Sequence, residues 1–173
     1  MKLRAVRLRE VGCFGEPIVV EGLSGGLDVL ADNNEAGKST LFRAVRTVLL
    51  EKHTTAKQEV EALRPYRGGA PVIEIDFDIG PSRYRLRKQY LSGKSALLTD
   101  LSTGAVKRNV DADEEVFRLI GADGGRHPYG LFWVAQEESF APAEPDERER
   151  AALAGIIQHE VASITGGRRA QAW

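Results

Sequence analysis

The chain has 173 residues, with 24 Lys and Arg side chains against 25 Asp and Glu and a formal net charge of −1. Such values are typical of an ordinary globular domain, and the near-neutral charge gives no global signal for nucleic-acid binding. The single cysteine, Cys13, excludes an internal disulfide framework, and three scattered histidines give no zinc-ligand spacing. We expect Cys13 to be a small buried residue. With no signal peptide or apolar membrane span in the sequence, we expect a cytoplasmic protein, nucleoid-associated if bacterial.

The first third of the chain predicts two strands, a buried strand and a helix. Residues 1–9 alternate imperfectly between polar and apolar side chains, which favours an amphipathic or edge strand, and 18–21 predict a second short strand. After a turn at 24–26, the run LDVLA at 27–31 is typical of a strand buried in an α/β sheet. Residues 38–50 carry apolar side chains at helical spacing and predict a helix.

The middle of the chain predicts an antiparallel meander. Part of 56–63 is expected to be helical, and 73–79 alternate at period two, as in a half-buried strand. After a Gly-Pro-Ser turn, residues 83–91 again alternate between polar and apolar side chains. The two strands are therefore predicted to form a hairpin. The stretches 95–101 and 105–110 extend it.

The remaining third predicts a helix, a buried strand and a second helix. Residues 111–120 begin with acidic side chains, which the helix dipole favours, and Gly121 ends that helix. The apolar run LFWVA at 131–135 predicts a buried strand that ends at Gln136. A helix from about 146 to 164 follows a connection rich in Pro and charge.

A phosphate-loop pattern lies between the strand at 27–31 and the helix at 38–50. Residues 32–40 (DNNEAGKST) match the second half of the pattern G-x-x-x-x-G-K-[ST]. Loop N–H groups cradle phosphate oxygens there, and the helix N-terminus adds partial positive charge. The predicted nucleotide-binding residues are Asn33, Asn34, Glu35, Ala36, Gly37, Lys38, Ser39 and Thr40.

One position departs from that pattern. Asp32 stands where the first glycine belongs. Aspartate tolerates left-handed backbone angles better than most residues, so the turn can form, but an inward carboxylate would repel a triphosphate. The alternative interpretation is a polar turn that contains Gly-Lys-Ser by coincidence.

The order of these segments resembles a known group of ATPases. The stretch NEAGKSTL, the opening MKLRAVRLREVGCFG and the segment LFWVAQEESF at 131–140 resemble the N-terminal half of SMC-like DNA-repair ATPases, the SbcC and RecF group of the ABC superfamily. The resemblance implies an α/β P-loop NTPase lobe over 1–140, with a mixed core sheet and an antiparallel meander. It implies that 141–173 form a linker and the root of a coiled-coil helix.

The resemblance also implies a catalytic site for ATP and Mg²⁺. Lys38 would bind the β- and γ-phosphates, Ser39 would ligate Mg²⁺, and Thr40 would lie beside the phosphates. Gln136 would be the Q-loop glutamine that senses Mg²⁺ and the attacking water, so Lys38 and Gln136 are the candidate catalytic residues. The alternative for Gln136 is a polar residue that closes a core strand.

Other parts of a complete ATPase head are not found in the sequence. No Walker B strand, signature motif before a helix or switch histidine is present, although three segments imitate such motifs. We interpret LSGG at 23–26 as a turn, IEID at 73–76 as part of an alternating strand, and Gly-Lys-Ser at 93–95 as a hairpin loop. By the resemblance, the chain is half of a head and hydrolyses ATP only after a C-terminal lobe and a second head, as a homodimer, complete it.

The resemblance suggests double-stranded DNA and a nuclease as further partners. The segment Arg83–Lys88 is basic, and its three arginines share one face of a strand, so they could follow a phosphate backbone. Alternatively, they pair with the acidic row on the neighbouring strand, which we favour. That row consists of Glu74, Asp76 and Asp78.

Two other functions remain open. One is a nucleotide-gated interaction module that binds ATP without turnover, and the other is an atypical small P-loop kinase. A GTPase is disfavoured because the sequence has no Asn-Lys-x-Asp motif for reading guanine.

Overall fold

The computed structural model describes residues 1–33, 36–121 and 154. The chain divides into two compact units, Met1–Ile120 and Gly121–Trp173, and nearly all of the described residues belong to the first. The predicted strand at 131–135, the helix from about 146, and the boundary at 140 lie outside the described residues.

Within that part of the chain, the strands form one antiparallel sheet in the order β2-β1-β3-β4-β5-β6. The sheet supports an α/β fold with few helices. Its strands are β1 (Lys2–Arg9), β2 (Ile18–Glu21), β3 (Val72–Ile79), β4 (Ser82–Gln89), β5 (Ser95–Asp100) and β6 (Val106–Arg108). The helices are α1 (Lys38–Leu50), α2 (Gln58–Glu61) and α3 (Asn109–Leu119).

Most predicted elements are confirmed, with their ends displaced by a few residues. Both N-terminal strands, the helix at 38–50 and the meander are present as predicted. Helix α3 is followed by Gly121, whose φ of +71° lets it end the helix as predicted. Of the stretch 56–63, only the short helix α2 at its centre is formed. Among the described residues no helix is long or apolar enough to cross a membrane.

The core lies between one face of the sheet and the helices α1 and α3. Alternation in β3 places Ile73, Ile75 and Phe77 on this face, where all three are fully buried. Helix α1 packs on the same face through apolar side chains that include Val45 and Val48. This burial of apolar area is the main favourable contribution to the fold.

The predicted strand at 27–31 is wrong, and among residues 1–33 and 36–121 the sheet is antiparallel, not the predicted mixed core sheet. In the structure this segment forms no strand, and Leu27, Val29 and Leu30 are 92%, 81% and 50% exposed. A parallel strand of this composition needs neighbours that cover both of its faces. No strand among residues 1–33 and 36–121 pairs with it, so the apolar pattern alone does not make it a strand.

The three imitations of other motifs have the structures predicted for them. Residues 24–26 form a turn in which the N–H groups of Ser24 and Gly25 donate to the Asp28 carboxylate at 2.9 and 3.2 Å. Residues 73–76 lie within β3, and 93–95 lie in the β4–β5 hairpin.

A charged cluster lies inside the core, where α1 ends. We call Lys88, Asp113, His53 and Tyr90 the Lys88 cluster. Lys88 Nζ lies 2.8 Å from Asp113 Oδ1 and donates to the carbonyl of Glu51 at 2.8 Å. Asp113 Oδ2 accepts the His53 backbone N–H at 3.1 Å and lies 2.6 Å from His53 Nδ1. The cluster therefore joins β4, α3 and the C-terminal end of α1.

The opposite face of the sheet carries rows of ion pairs. Arg83 Nε lies 2.8 Å from Asp78, and Arg85 Nε lies 2.7 Å from Asp76. Arg7 of β1 pairs with Asp76 from the other side at 3.0 Å. The favoured interpretation, pairing with the acidic row of β3, is therefore confirmed for Arg83 and Arg85.

Lys88 does not belong with these arginines. It points to the core face and is 0% exposed, because successive side chains of β4 alternate between the two faces. Burial lowers the pKa of Lys88, and the Asp113 carboxylate opposes this shift.

Replacing Lys88 tests how much the Lys88 cluster contributes to stability. We expect Lys88→Met to lower the free energy of unfolding by about 3–5 kcal/mol, since it leaves the Asp113 carboxylate buried without its cation. Denaturant unfolding followed by circular dichroism measures the change. The matched control is Arg87→Met, one residue earlier on the opposite face, which should change stability by only about 0.5 kcal/mol or less. Equal losses of unfolding free energy in Lys88→Met and Arg87→Met would contradict a stabilising role for the Lys88 cluster.

The ion pairs predict a defined loss of stability in acid. Hydrogen bonding from Arg83 and Arg4 lowers the pKa of Asp78 from 3.8 to about 2. Because the unfolded chain binds the proton more readily, this contribution is complete above about pH 4 and is lost as the pH falls through about 2. We expect Asp78→Asn to be less stable than the natural chain at pH 7 and to lose less stability between pH 4 and 2.

Denaturant unfolding at several pH values measures this dependence. Glu16→Gln, which changes an exposed carboxylate in the β1–β2 loop, is the control and should keep the acid dependence of the natural chain. An unaltered acid dependence in Asp78→Asn would refute the contribution of Asp78.

Candidate nucleotide-binding site

Gly37 sits at the junction of the predicted phosphate loop and α1. It occupies the N-cap position of the helix with φ +88° and ψ +15°, a left-handed conformation that favours glycine. A Cβ atom there would clash with the Phe14 ring. Two independent constraints, backbone conformation and contact with the turn after β1, therefore require glycine at this position.

The Lys38 side chain folds back over the loop that precedes it. Its Nζ donates to the carbonyls of Asp32 at 2.7 Å and Asn33 at 2.6 Å. The ammonium group therefore lies over the loop, where phosphate oxygens would compete with these carbonyls for its protons.

The Asp32 side chain contacts the loop directly. Its Oδ1 accepts the N–H of Asn33 at 2.7 Å. Aspartate at the position of the first glycine thus engages one loop N–H group that a phosphate could otherwise use.

The N-terminus of α1 is suited to an anion. No side chain caps it, and its first turn contains no acidic residue. The first hydrogen bond of the helix runs from Leu41 N–H to the carbonyl of Gly37 at 2.9 Å. The positive end of the helix dipole is therefore not neutralised by the helix's own side chains.

Ser39 and Thr40 differ in their surroundings. Ser39 is exposed, as a hydroxyl that ligates a solvated cation must be, whereas Thr40 is half-buried against the turn after β1. The Thr40 Oγ1 lies 3.8 Å from Cys13 Sγ, and a Cβ atom on Gly12 would lie 3.0 Å from the Thr40 methyl group.

The remaining predicted site residues lie outside the described part of the chain. These are Asn34, Glu35 and Gln136. Among the described residues no group of three or more His, Cys, Asp or Glu side chains could hold a metal ion.

The structure adds neighbours that sequence reasoning missed. Phe14 contacts Gly37, and Cys13 is exposed beside Thr40. The prediction that Cys13 is buried is therefore wrong, because the turn holds its side chain at the surface. A Phe/Gly turn after the first strand is visible in the sequence, but nothing in its pattern shows that it contacts the loop at 32–40.

Three comparisons place the chain among known proteins. No family model matches it. Urease accessory protein 2 of Cryptococcus neoformans var. grubii is 22% identical over 159 residues, which make up 88% of this chain. The match spans only 13% of that relative's own length.

The structural comparison is more informative about the fold. A solved structure from work on the ATP-driven dimerization and DNA-stimulated activation of SMC ATPases matches with a TM-score of 0.55 and 18% identity. The match covers 90% of this chain and 99% of that one. The chain therefore has a fold similar to that of an SMC ATPase lobe.

The two Gly-Lys-Ser sequences give a matched pair of variants. We expect Lys38→Ala to weaken ATP binding about a hundredfold, since charge-assisted hydrogen bonds contribute about 1.5–3 kcal/mol each. Lys94→Ala, in the second Gly-Lys-Ser, should bind ATP normally because Lys94 Nζ donates to the Thr54 carbonyl, at 3.0 Å. Isothermal titration calorimetry of both variants with Mg-ATP measures the difference. Unchanged affinity in Lys38→Ala would refute the phosphate-loop assignment.

Proposed function

We propose that this chain is the ATP-binding N-terminal half of an SMC-like ATPase head. It binds Mg-ATP at residues 32–40 and hydrolyses it only when a C-terminal lobe and a second head complete the site. The observation that carries the proposal is the segment 27–31, whose apolar side chains are exposed immediately before the candidate phosphate loop.

An incomplete sheet explains why the segment 27–31 is exposed. Leu27 and Val29 are 92% and 81% exposed, whereas Ile73, Ile75 and Phe77 of β3 are fully buried. Exposed contiguous apolar residues commonly mark an interaction site. Strands added beside 27–31 by another lobe would bury them and would fix the start of the loop at 32–40.

The described residues fit a nucleoside triphosphate. Gly37 places no side chain at the N-cap of α1, Lys38 Nζ lies over the loop, and the first turn of α1 contains no acidic residue. Lys38 would bind the β- and γ-phosphates, and the Ser39 hydroxyl would hold Mg²⁺, with Gln136 as its second ligand. Mg²⁺ when bound supplies neutralisation of the charge that develops on the phosphate oxygens.

We also propose partners and a pathway for this half of an ATPase head. The similar SMC structure comes from work on ATP-driven dimerization and DNA-stimulated activation. That description supports a second head and DNA as partners. We extend the proposal to double-stranded DNA and to a role in DNA repair or chromosome maintenance. Direct DNA contact through Arg83 and Arg85 is disfavoured because both side chains pair with carboxylates of β3.

Turnover with and without a second lobe tests the proposal. The chain alone should bind Mg-ATP stoichiometrically in calorimetry but show no turnover in a phosphate-release assay. A C-terminal lobe of an SMC-like head supplied in trans should raise turnover towards the enzyme range of about 1 s⁻¹ or more. Turnover in that range by the chain alone would contradict the half-head proposal. Binding without turnover even in the presence of the second lobe would favour the nucleotide-gated interaction module.

Polar substitution in the exposed segment tests where the second lobe docks. Leu27→Ser combined with Val29→Ser should leave the stability and ATP binding of the chain nearly unchanged, because both side chains are already in solvent. The same variant should lose stimulation by the second lobe. Val106→Ser, a 48% exposed position on β6 at the edge of the sheet, is the control and should keep stimulation.

A further inference from the structure

The first residue of the candidate phosphate loop already engages one of the loop's hydrogen-bond donors. Asp32 Oδ1 accepts the N–H of Asn33 at 2.7 Å. In a phosphate loop, backbone N–H groups are the donors that cradle phosphate oxygens. A carboxylate of this chain therefore takes the place of a phosphate oxygen at one such donor.

Two further donors of the loop are also paired within it. The Ala36 N–H donates to the Asn33 carbonyl at 3.3 Å. Lys38 Nζ donates to the same carbonyl at 2.6 Å and to the Asp32 carbonyl at 2.7 Å. The loop is thus closed by its own hydrogen bonds, and phosphate oxygens must displace internal acceptors in order to bind.

The Asp32 carboxylate differs from the other internal acceptors. The carbonyls of Asp32 and Asn33 are backbone groups that every residue type supplies, whereas the carboxylate is present because aspartate stands where the phosphate-loop pattern has glycine. Hydrogen bonds to an ionised acceptor are roughly twice as strong as those between neutral groups. The carboxylate therefore competes with phosphate for a donor and, as an anion, also repels it.

The charge of the ligand determines the size of this repulsion. The interaction between two charges scales with their product. Free ATP carries about twice the negative charge of its magnesium complex, because the ion is divalent. Asp32 is exposed, so solvent and salt weaken the repulsion of both forms. The carboxylate should therefore disfavour free ATP more than it disfavours Mg-ATP.

We propose that the Asp32 carboxylate is an internal competitor for phosphate, which weakens nucleotide binding and selects Mg-ATP over free ATP. This inference rests on the proposed function and adds a selectivity-determining residue to the same loop. A ligand that needs the open form of the loop binds more weakly in proportion to the fraction of chains in which the loop is closed. Asp32 thus sets both the affinity of the loop and its preference for the less charged ligand.

Calorimetry on the full 173-residue chain tests the inference with two probes, Mg-ATP and ATP in excess EDTA. Asp32→Asn keeps the side-chain oxygen that can accept the Asn33 N–H but removes the charge. It should bind Mg-ATP about three- to tenfold more tightly than the natural chain, and free ATP about ten- to a hundredfold more tightly, since the gain in free energy doubles with the ligand charge. Asp32→Gly also frees the N–H and should bind both probes at least as tightly as Asp32→Asn.

The matched control changes a carboxylate that makes the same kind of hydrogen bond elsewhere. Asp100 Oδ1 accepts the N–H of Ser102 at 2.8 Å, in the turn between β5 and β6. Asp100→Asn should bind both probes like the natural chain. Equal gains in Asp32→Asn and Asp100→Asn would overturn the inference, because the gain would then come from the net charge of the chain.

The outcomes separate this inference from the proposed function. Unchanged or weaker ATP binding in Asp32→Asn, together with loss of binding in Lys38→Ala, would overturn the role of Asp32 and leave the phosphate loop intact. Equal gains for the two probes in Asp32→Asn would overturn the selection of Mg-ATP. If the natural chain and both Asp32 variants bind neither probe, the proposed function itself fails.

Discussion

The described unit depends on a cation enclosed in its core. Lys88 is surrounded by the Asp113 carboxylate, the Glu51 carbonyl and the Phe117 ring, whose centroid lies 5.5 Å from Nζ. A buried charge is tolerated only with such complete pairing. Since its partners come from α3 and from the C-terminal end of α1, neither helix can shift on the sheet without exposing or isolating the charge. The position of α1, and hence of the loop that precedes it, follows from this constraint.

The two ends of helix α1 therefore differ in how their backbone groups are hydrogen-bonded. At its C-terminus, carbonyls of Thr47 and Glu51 accept hydrogen bonds from Tyr90, and Glu51 also accepts one from Lys88. Positive charge near this end suits the helix dipole. At its N-terminus, Gly37 and the uncapped first turn leave the positive end open. The backbone groups at the C-terminus of α1 are thus satisfied within the core, whereas no side chain caps its N-terminus beside the candidate phosphate loop.

Local patterns predicted most of the sheet but little of the site's surroundings. Alternation in β3 and the helical spacing of 38–50 are short-range signals, and both elements are present. The strand at 27–31 was wrong because a strand is defined by its neighbours, and its apolar composition says nothing about whether they are supplied. The approach of Gly12 and Phe14 to α1 and the hydrogen bond of Glu10 with Ala70 join residues far apart in sequence, so no periodicity indicates them.

The order of the strands has a consequence for how the protein folds. Strands β3 to β6 pair with their sequence neighbours, so their hairpins can form quickly. Strand β1 pairs with β3 across a long intervening stretch, with Lys2 opposite Asp78. Closing so large a loop is slow, and we expect β1 to join a preformed meander. Because the turn at 11–14 follows β1, the candidate phosphate loop and the loop between α2 and β3 come together only in this last step. Partly folded chains would therefore lack the proposed nucleotide site.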